Sequence, residues 1–185
     1  TTGEGGMVLT DDAALAKRLR ELRNLCFLPD PRFLHETLGF NFRITNLQAA
    51  IGVAQMQRMA EVVEHKRWMA REYGRRLRTI PGLQLPVEKP WARSVFWMYG
   101  VVLSDELPLD AKTMAKRLGD RGVETRPFFR GMHEQPALRK RGLFGGEKYP
   151  VAERLARRGL YLPSGLTLTE SQIETVCRAM REILS

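Results

Sequence analysis

Apolar residues recur along this chain in two different periods, and the switch between them divides it. Met7-Val8-Leu9 is a short apolar run that predicts a strand, followed by Thr10-Asp11-Asp12, residues suited to capping a helix. Leu15, Leu19, Leu22 and Cys26 then recur at helical spacing on a basic amphipathic segment that Pro29 and Pro31 stop. An irregular connection runs on to Gly39. Thr45 and Gln48 fit a capping box, in which each side chain satisfies a free backbone N–H of the turn. A helical pattern follows through Leu47, Ile51, Ala54, Met59, Val62, Val63, Met69, Tyr73 and Leu77, ending at Pro81-Gly82. Unbroken, that helix would be roughly 50 Å long, the length of an element that bridges two domains. The expected organisation is therefore a first part over 1–60, an inter-domain stretch of helix over 61–80 and a second domain over 81–185.

Beyond Pro81 the pattern shortens. Leu83–Leu85 and Val95–Leu103 predict strands, the second rich in aromatic and β-branched residues. Asp110–Leu118 predicts a helix with Met114, Ala115 and Leu118 inward and Gly119 or Gly122 as its stop. Glu124–Phe129 predicts a short strand, Pro150 opens a helix that Gly159 closes, and Leu160–Leu162 predicts another strand. Thr169 with Gln172 makes a second capping box before a final helix marked by Ile173, Val176, Met180 and Leu184. Strands alternating with helices argue for a small α/β layer.

Composition narrows the class. Hydrophobic residues are 43% of the 185, enough for a packed core. No apolar stretch approaches the roughly 20 residues a membrane-spanning helix needs, and no targeting segment is visible, so a cytoplasmic location is the expectation. Cys26 and Cys177 both fall in apolar helical patterns and are expected to be buried, reduced thiols. The net charge of +9 is uneven: residues 1–60 contribute +1 and residues 61–185 contribute +8. Such an excess suits an anionic partner, although a solvated Arg-rich surface is the more ordinary explanation. No aromatic ladder accompanies it, so a single-strand nucleic-acid groove is not supported. The chain begins inside a Gly-rich turn, Thr1-Thr2-Gly3-Glu4-Gly5-Gly6, which needs a preceding element; the expectation is the C-terminal part of something longer.

A self-contained catalytic centre is hard to assemble from these residues. His35, His65 and His133 share no metal-ligand spacing with each other or with cysteine, so no metal site is expected, and His65 is expected to be solvated on the charged helix. Two segments stand out. Gly39-Phe40-Asn41-Phe42-Arg43 sets two aromatics around an amide and a guanidinium just before a helix N-terminus, where anions are attracted. An ordinary loop with a surface arginine fits the spacing equally well. The second is Glu124 to Pro136, which gathers Arg126, Arg130, His133 and two phenylalanines on a strand end and the loop after it.

Together Thr1–Val8, Gly39–Arg43 with Ala49-Ala50-Ile51-Gly52, Thr125-Arg126-Pro127 through His133 and Pro136, and Leu160–Ser164 strongly resemble, in this order, the DegT/DnrJ/EryC1/StrS family of pyridoxal phosphate-dependent sugar aminotransferases. The resemblance spans essentially the whole chain. It implies an α/β chain of the fold-type I aminotransferase architecture, here the C-terminal part of the large cofactor domain plus the small C-terminal α/β domain. It also implies a homodimer with shared active sites, pyridoxal 5'-phosphate as cofactor, glutamate as amino donor and a nucleotide-linked 4-keto-6-deoxy sugar as acceptor. The Schiff-base lysine would lie ahead of Thr1, and none of Lys17, Lys66, Lys89, Lys112, Lys116, Lys140 or Lys148 matches it. By the same resemblance Asn41, with Arg43 beside it, reaches the cofactor phosphate of the neighbouring subunit. His133 lines the substrate side, and Arg126 or Arg130 meets the nucleotide diphosphate. No residue of the chain is then catalytic by itself. A sugar dehydratase of the same family, with histidine at the lysine position, and a non-catalytic binding module are the competing readings.

Overall fold

The structure, a computed structural model, describes residues 1–31 and 33–185. Two compact units divide it, Thr1–Ala60 and Glu61–Ser185.

In the first unit the Asp12 carboxylate accepts from the Ala14 and Leu15 N–H groups and starts helix α1, Ala13–Arg23. The helix ends at Asn24, short of the prolines, because Leu25 and Cys26 turn into the left-handed region at φ 65° and 51°. Cys26 is thus buried, as expected, but in a turn rather than a helix. Met7–Leu9 forms no strand: among the described residues none pairs with it to complete a ladder, and all three residues are exposed. The Thr45–Gln48 capping box is present and opens α2, Asn46–Gln57.

The expected single long helix is two. Arg58 adopts φ −100° and ψ 3° and caps α2, and α3 restarts at once as Met59–Leu77. The apolar spacing continues across the break, which hides it in the sequence.

In the second unit β1 (Leu83–Gln84), β2 (Tyr99–Leu103), β3 (Arg126–Pro127) and β4 (Gly159–Leu162) form one sheet in the order β1-β2-β4-β3, with every pairing antiparallel. The helices are α4 (Ala111–Gly119), a four-residue α5 (Pro136–Arg139), α6 (Pro150–Arg158) and α7 (Glu170–Leu184), and a 3₁₀ turn at Met132–Glu134 precedes α5. The strand expected from Val95 begins only at Tyr99. Tyr99 pairs with Leu162, and the next residue on the partner strand, Pro163, has no N–H to continue the ladder.

Alternation along β2 sorts the core. Tyr99, Val101 and Leu103 face Met69, Tyr73 and Leu77 of α3 together with Ile173, Cys177 and Met180 of α7. Burial pushes the Cys177 thiol up to about 12, so it stays protonated among its apolar neighbours. Helix α6 packs on β2 and β4. Arg158 at its end donates to the Asp105 carboxylate and to the Leu107 and Leu109 carbonyls.

Candidate functional site

In the unit Thr1–Ala60 the residues of interest surround the entry to α2. Asn41 bridges to Asn24 through the backbone, and the Phe42 N–H donates to the Arg23 carbonyl. The Phe40 and Phe42 rings stack 5.0 Å apart. The Arg43 Nε donates to Asn41 Oδ1 at 3.1 Å. That bond occupies one lone pair of the amide oxygen and leaves the amide N–H groups and the outer guanidinium N–H groups of these two exposed residues unpaired among the described residues. Several N–H donors beside one positive charge are suited to phosphate oxygens. The Gly-rich start lies along the same helix, with Gln48 Nε2 donating to the Glu4 carbonyl and Gly52 beside Thr2.

In the unit Glu61–Ser185 a cavity of about 710 Å³ opens at one end of the sheet. Antiparallel pairing brings the start of β2, the start of β3 and the end of β4 to that end, so their adjoining loops form the wall. Trp97 and Tyr161 supply aromatic surface, Arg126 a guanidinium, and Gln172 and Thr175 of α7 a polar floor. Arg126 makes no ion pair among the described residues. Thr125, next to it on the wall, has a buried Oγ1 without a hydrogen-bond partner among those residues.

The three residues expected on the substrate side are not brought together. Arg126 lines the cavity. Arg130 is exposed on the loop beyond β3 and does not line it. His133 is 4% exposed, packed beside Gly131 with its ring 4.8 Å from that of Tyr149, and its Nε2 lies 3.2 Å from Glu153 Oε1. Arg139 Nε donates to the His133 carbonyl at 2.7 Å. The Glu153 carboxyl is held below its usual range by the Tyr149 N–H and by His133. The His133 ring is thus enclosed by Gly131, Tyr149 and Glu153 of α6. His65 is half-buried rather than solvated, with its Nε2 enclosed and unpartnered among the described residues.

Sequence reasoning did not bring Lys66, Trp97 and Ser164 together. The Lys66 ammonium donates to the carbonyls of Trp97, at 3.1 Å, and Ser164, on two sides of the cavity wall. Their separations of 31 and 98 residues leave no local signal. Among the described residues no cluster of His, Cys, Asp or Glu could hold a metal ion, and no helix is long and apolar enough to cross a membrane.

A sequence model of the DegT/DnrJ/EryC1/StrS aminotransferase family matches residues 1–181. This chain belongs to that family. Among its relatives is the GDP-perosamine synthase of Caulobacter vibrioides, 36% identical over 100% of this chain and 49% of the relative. The aminotransferase TlmJ from Streptoalloteichus hindustanus shares the fold with a TM-score of 0.83 and 33% identity, covering 98% of this chain and 48% of its own. DesV of S. venezuelae superposes with a TM-score of 0.81 and 30% identity, over 96% and 46%. The chain spans about half the length of the family members it matches. Its fold is the mixed α/β arrangement of those sugar aminotransferases.

Proposed function

We propose that this chain is part of a pyridoxal phosphate-dependent aminotransferase that moves an amino group, from glutamate, to a nucleotide-linked 4-keto-6-deoxy sugar. The observation that carries the reading is the family match over residues 1–181, joined by GDP-perosamine synthases that align with nearly the whole chain. In this reading the coenzyme, when bound, supplies an electron sink for the proton-loss step of transamination. What this chain contributes is binding and orientation. Asn41 and Arg43, already joined at 3.1 Å and rich in N–H donors, would hold the coenzyme phosphate of a partner subunit in a homodimer. Arg126 would meet the diphosphate of the sugar nucleotide beside the aromatic surface of Trp97 and Tyr161. Arg130, exposed beyond β3, is a second cation for the same ligand. His133 acts through Glu153 by fixing the loop before α6. The Lys66 amine is committed to two carbonyls and does not serve as the covalent anchor of the coenzyme.

The test is made on the whole protein. Purified with pyridoxal phosphate, it should show visible coenzyme absorbance that borohydride fixes to a lysine. With glutamate and a GDP-linked 4-keto-6-deoxy sugar it should give an amino sugar detectable by mass spectrometry. Asn41→Ala should weaken coenzyme retention about tenfold or more, as loss of a charge-assisted contact predicts. Absence of both coenzyme absorbance and glutamate-dependent product would overturn the reading.

A further inference from the structure

We propose that Lys66 is a positioning residue for the cavity of the Glu61–Ser185 unit, its ammonium holding together two of the loops that form the cavity wall. The proposal rests on the reading of that cavity as the sugar-nucleotide wall. Lys66 projects from α3, and its Nζ donates to the carbonyls of Trp97 and Ser164. Trp97 lies on the segment entering β2 and Ser164 on the segment leaving β4, and both line the cavity. Two carbonyl dipoles pointing at one spot repel each other unless a cation sits between them.

The two loops depend on Lys66 unequally. Ser164 has other ties: its hydroxyl accepts from the Tyr99 N–H at 2.9 Å and donates to the Leu162 carbonyl at 2.7 Å. The Tyr73 hydroxyl holds the adjacent Pro163 carbonyl at 2.9 Å. Trp97 has none of these. Its side chain is 65% exposed, so burial does not anchor it, and Lys66 is the one side chain that bonds its backbone among the described residues. Tyr99, two residues on, is already joined to the Ser164 hydroxyl; Lys66 adds a second tie between the same two segments, and it is the one that bonds Trp97 itself, the exposed residue between Phe96 and Tyr99.

The ammonium has no carboxylate partner among the described residues. Burial alone lowers its pKa from the usual 10.5. A lysine serving only as a solvated helix surface would keep its charge in water or beside an acid, as Arg67 does with Glu88 at 3.1 Å one residue on. Lys66 instead places its charge against two neutral dipoles, which determines geometry rather than neutralising charge.

The experiment uses the whole protein with Lys66→Met, Lys66→Gln and Lys66→Arg, hydrogen exchange of the segments 95–99 and 162–166, and titration with GDP. Lys66→Met should speed exchange of the 95–99 segment about tenfold and that of 162–166 by less. It should weaken GDP binding about tenfold, because the Trp97 wall is no longer held in place, without altering helical content. Lys66→Arg, which keeps a cation able to reach both carbonyls, should restore both readouts to within about threefold. If Lys66→Met does not fold, Lys66→Gln carries the same comparison. Unchanged exchange at 95–99 in the uncharged variant overturns the proposal, as does GDP binding equal to that of the unaltered protein. If the unaltered protein takes up no GDP while exchange responds as stated, the cavity's ligand reading fails and the loop tie stands.

Discussion

Phe128 shows how one side chain can dictate two others. Its N–H donates to the Gly159 carbonyl at 3.2 Å, extending the β3–β4 pairing past Pro127, and its ring crosses back over the sheet. There it lies against Tyr161, with centroids 4.4 Å apart, and over two glycines on neighbouring strands. A Cβ at Gly100 would fall 2.7 Å from the Phe128 ring, and one at Gly159 would fall 2.3 Å from it and 2.6 Å from the Leu155 carbonyl. Gly159→Ala should therefore destabilise the protein by about 1–3 kcal/mol, because neither a packed ring nor a helix-end carbonyl yields cheaply. Gly119→Ala is the matched control: nothing lies within 4 Å of its Cβ and it closes α4, so urea denaturation should show it unchanged or slightly stabilised. Equal losses for the two substitutions would refute the slot. The sequence marks Gly159 plainly as a helix stop, and that role is real, since it caps α6. Its second role is illegible there, because a ring reaching across a sheet leaves no trace in local spacing.

At the scale of elements, α3 and α7 are joined by charge as well as by apolar packing. The Arg76 side chain, 8% exposed, donates to Glu174 at 2.7 Å and to Glu170 at 2.6 Å, and also contacts Glu72. Glu72 is held below the usual carboxylate value by Arg75 and then Arg76, and Glu174 by Arg76 first. The sign follows directly. A carboxyl whose folded pKa lies below its unfolded value of 4.5 adds stability above pH 4.5 and loses it as pH falls through the lowered value. Thermal unfolding from pH 7 downward should show a melting temperature that declines below about pH 4.5. Arg76→Met should start lower at pH 7 and decline less, and parallel curves for the two proteins would exclude the contribution. The apolar face of α7 and its capping box are both legible in the sequence because helical period and N-terminal chemistry are local. The break at Arg58 is not, since the hydrophobic spacing of α2 runs on into α3 without a glycine or proline to interrupt it.

Across the whole molecule, burial is distributed far more unevenly than hydrophobic composition. Every buried hydrophobic residue among those described lies in Glu61–Ser185 except Cys26. In Thr1–Ala60, Val8, Leu38, Leu47 and Val53 are each more than half exposed, although apolar residues recur there as they do elsewhere. Periodicity reports which face of an element is apolar and not whether anything covers it. That is why the sequence outlines the helices of both units equally well while only one has a core. It also explains how much of the site was legible: the adjacency of Asn41 and Arg43, and Arg126 at a strand start, are local facts, whereas the enclosure of His133 by Glu153 and Tyr149 is tertiary. Uneven burial implies uneven local stability, because opening free energy follows the buried apolar contacts of each region. Limited trypsin digestion of the 185-residue chain should cut after Lys17, Arg20, Arg23 or Arg43 well before any site in β2, α4 or α7. Mass spectrometry should then find a resistant product whose new amino end lies at or close to Met59. Cleavage after Lys116 or Arg117 of α4 at the same rate as after Lys17 of α1 would mean that the core around Met69, Tyr73, Met114 and Ile173 protects its unit no better than exposed helices protect theirs.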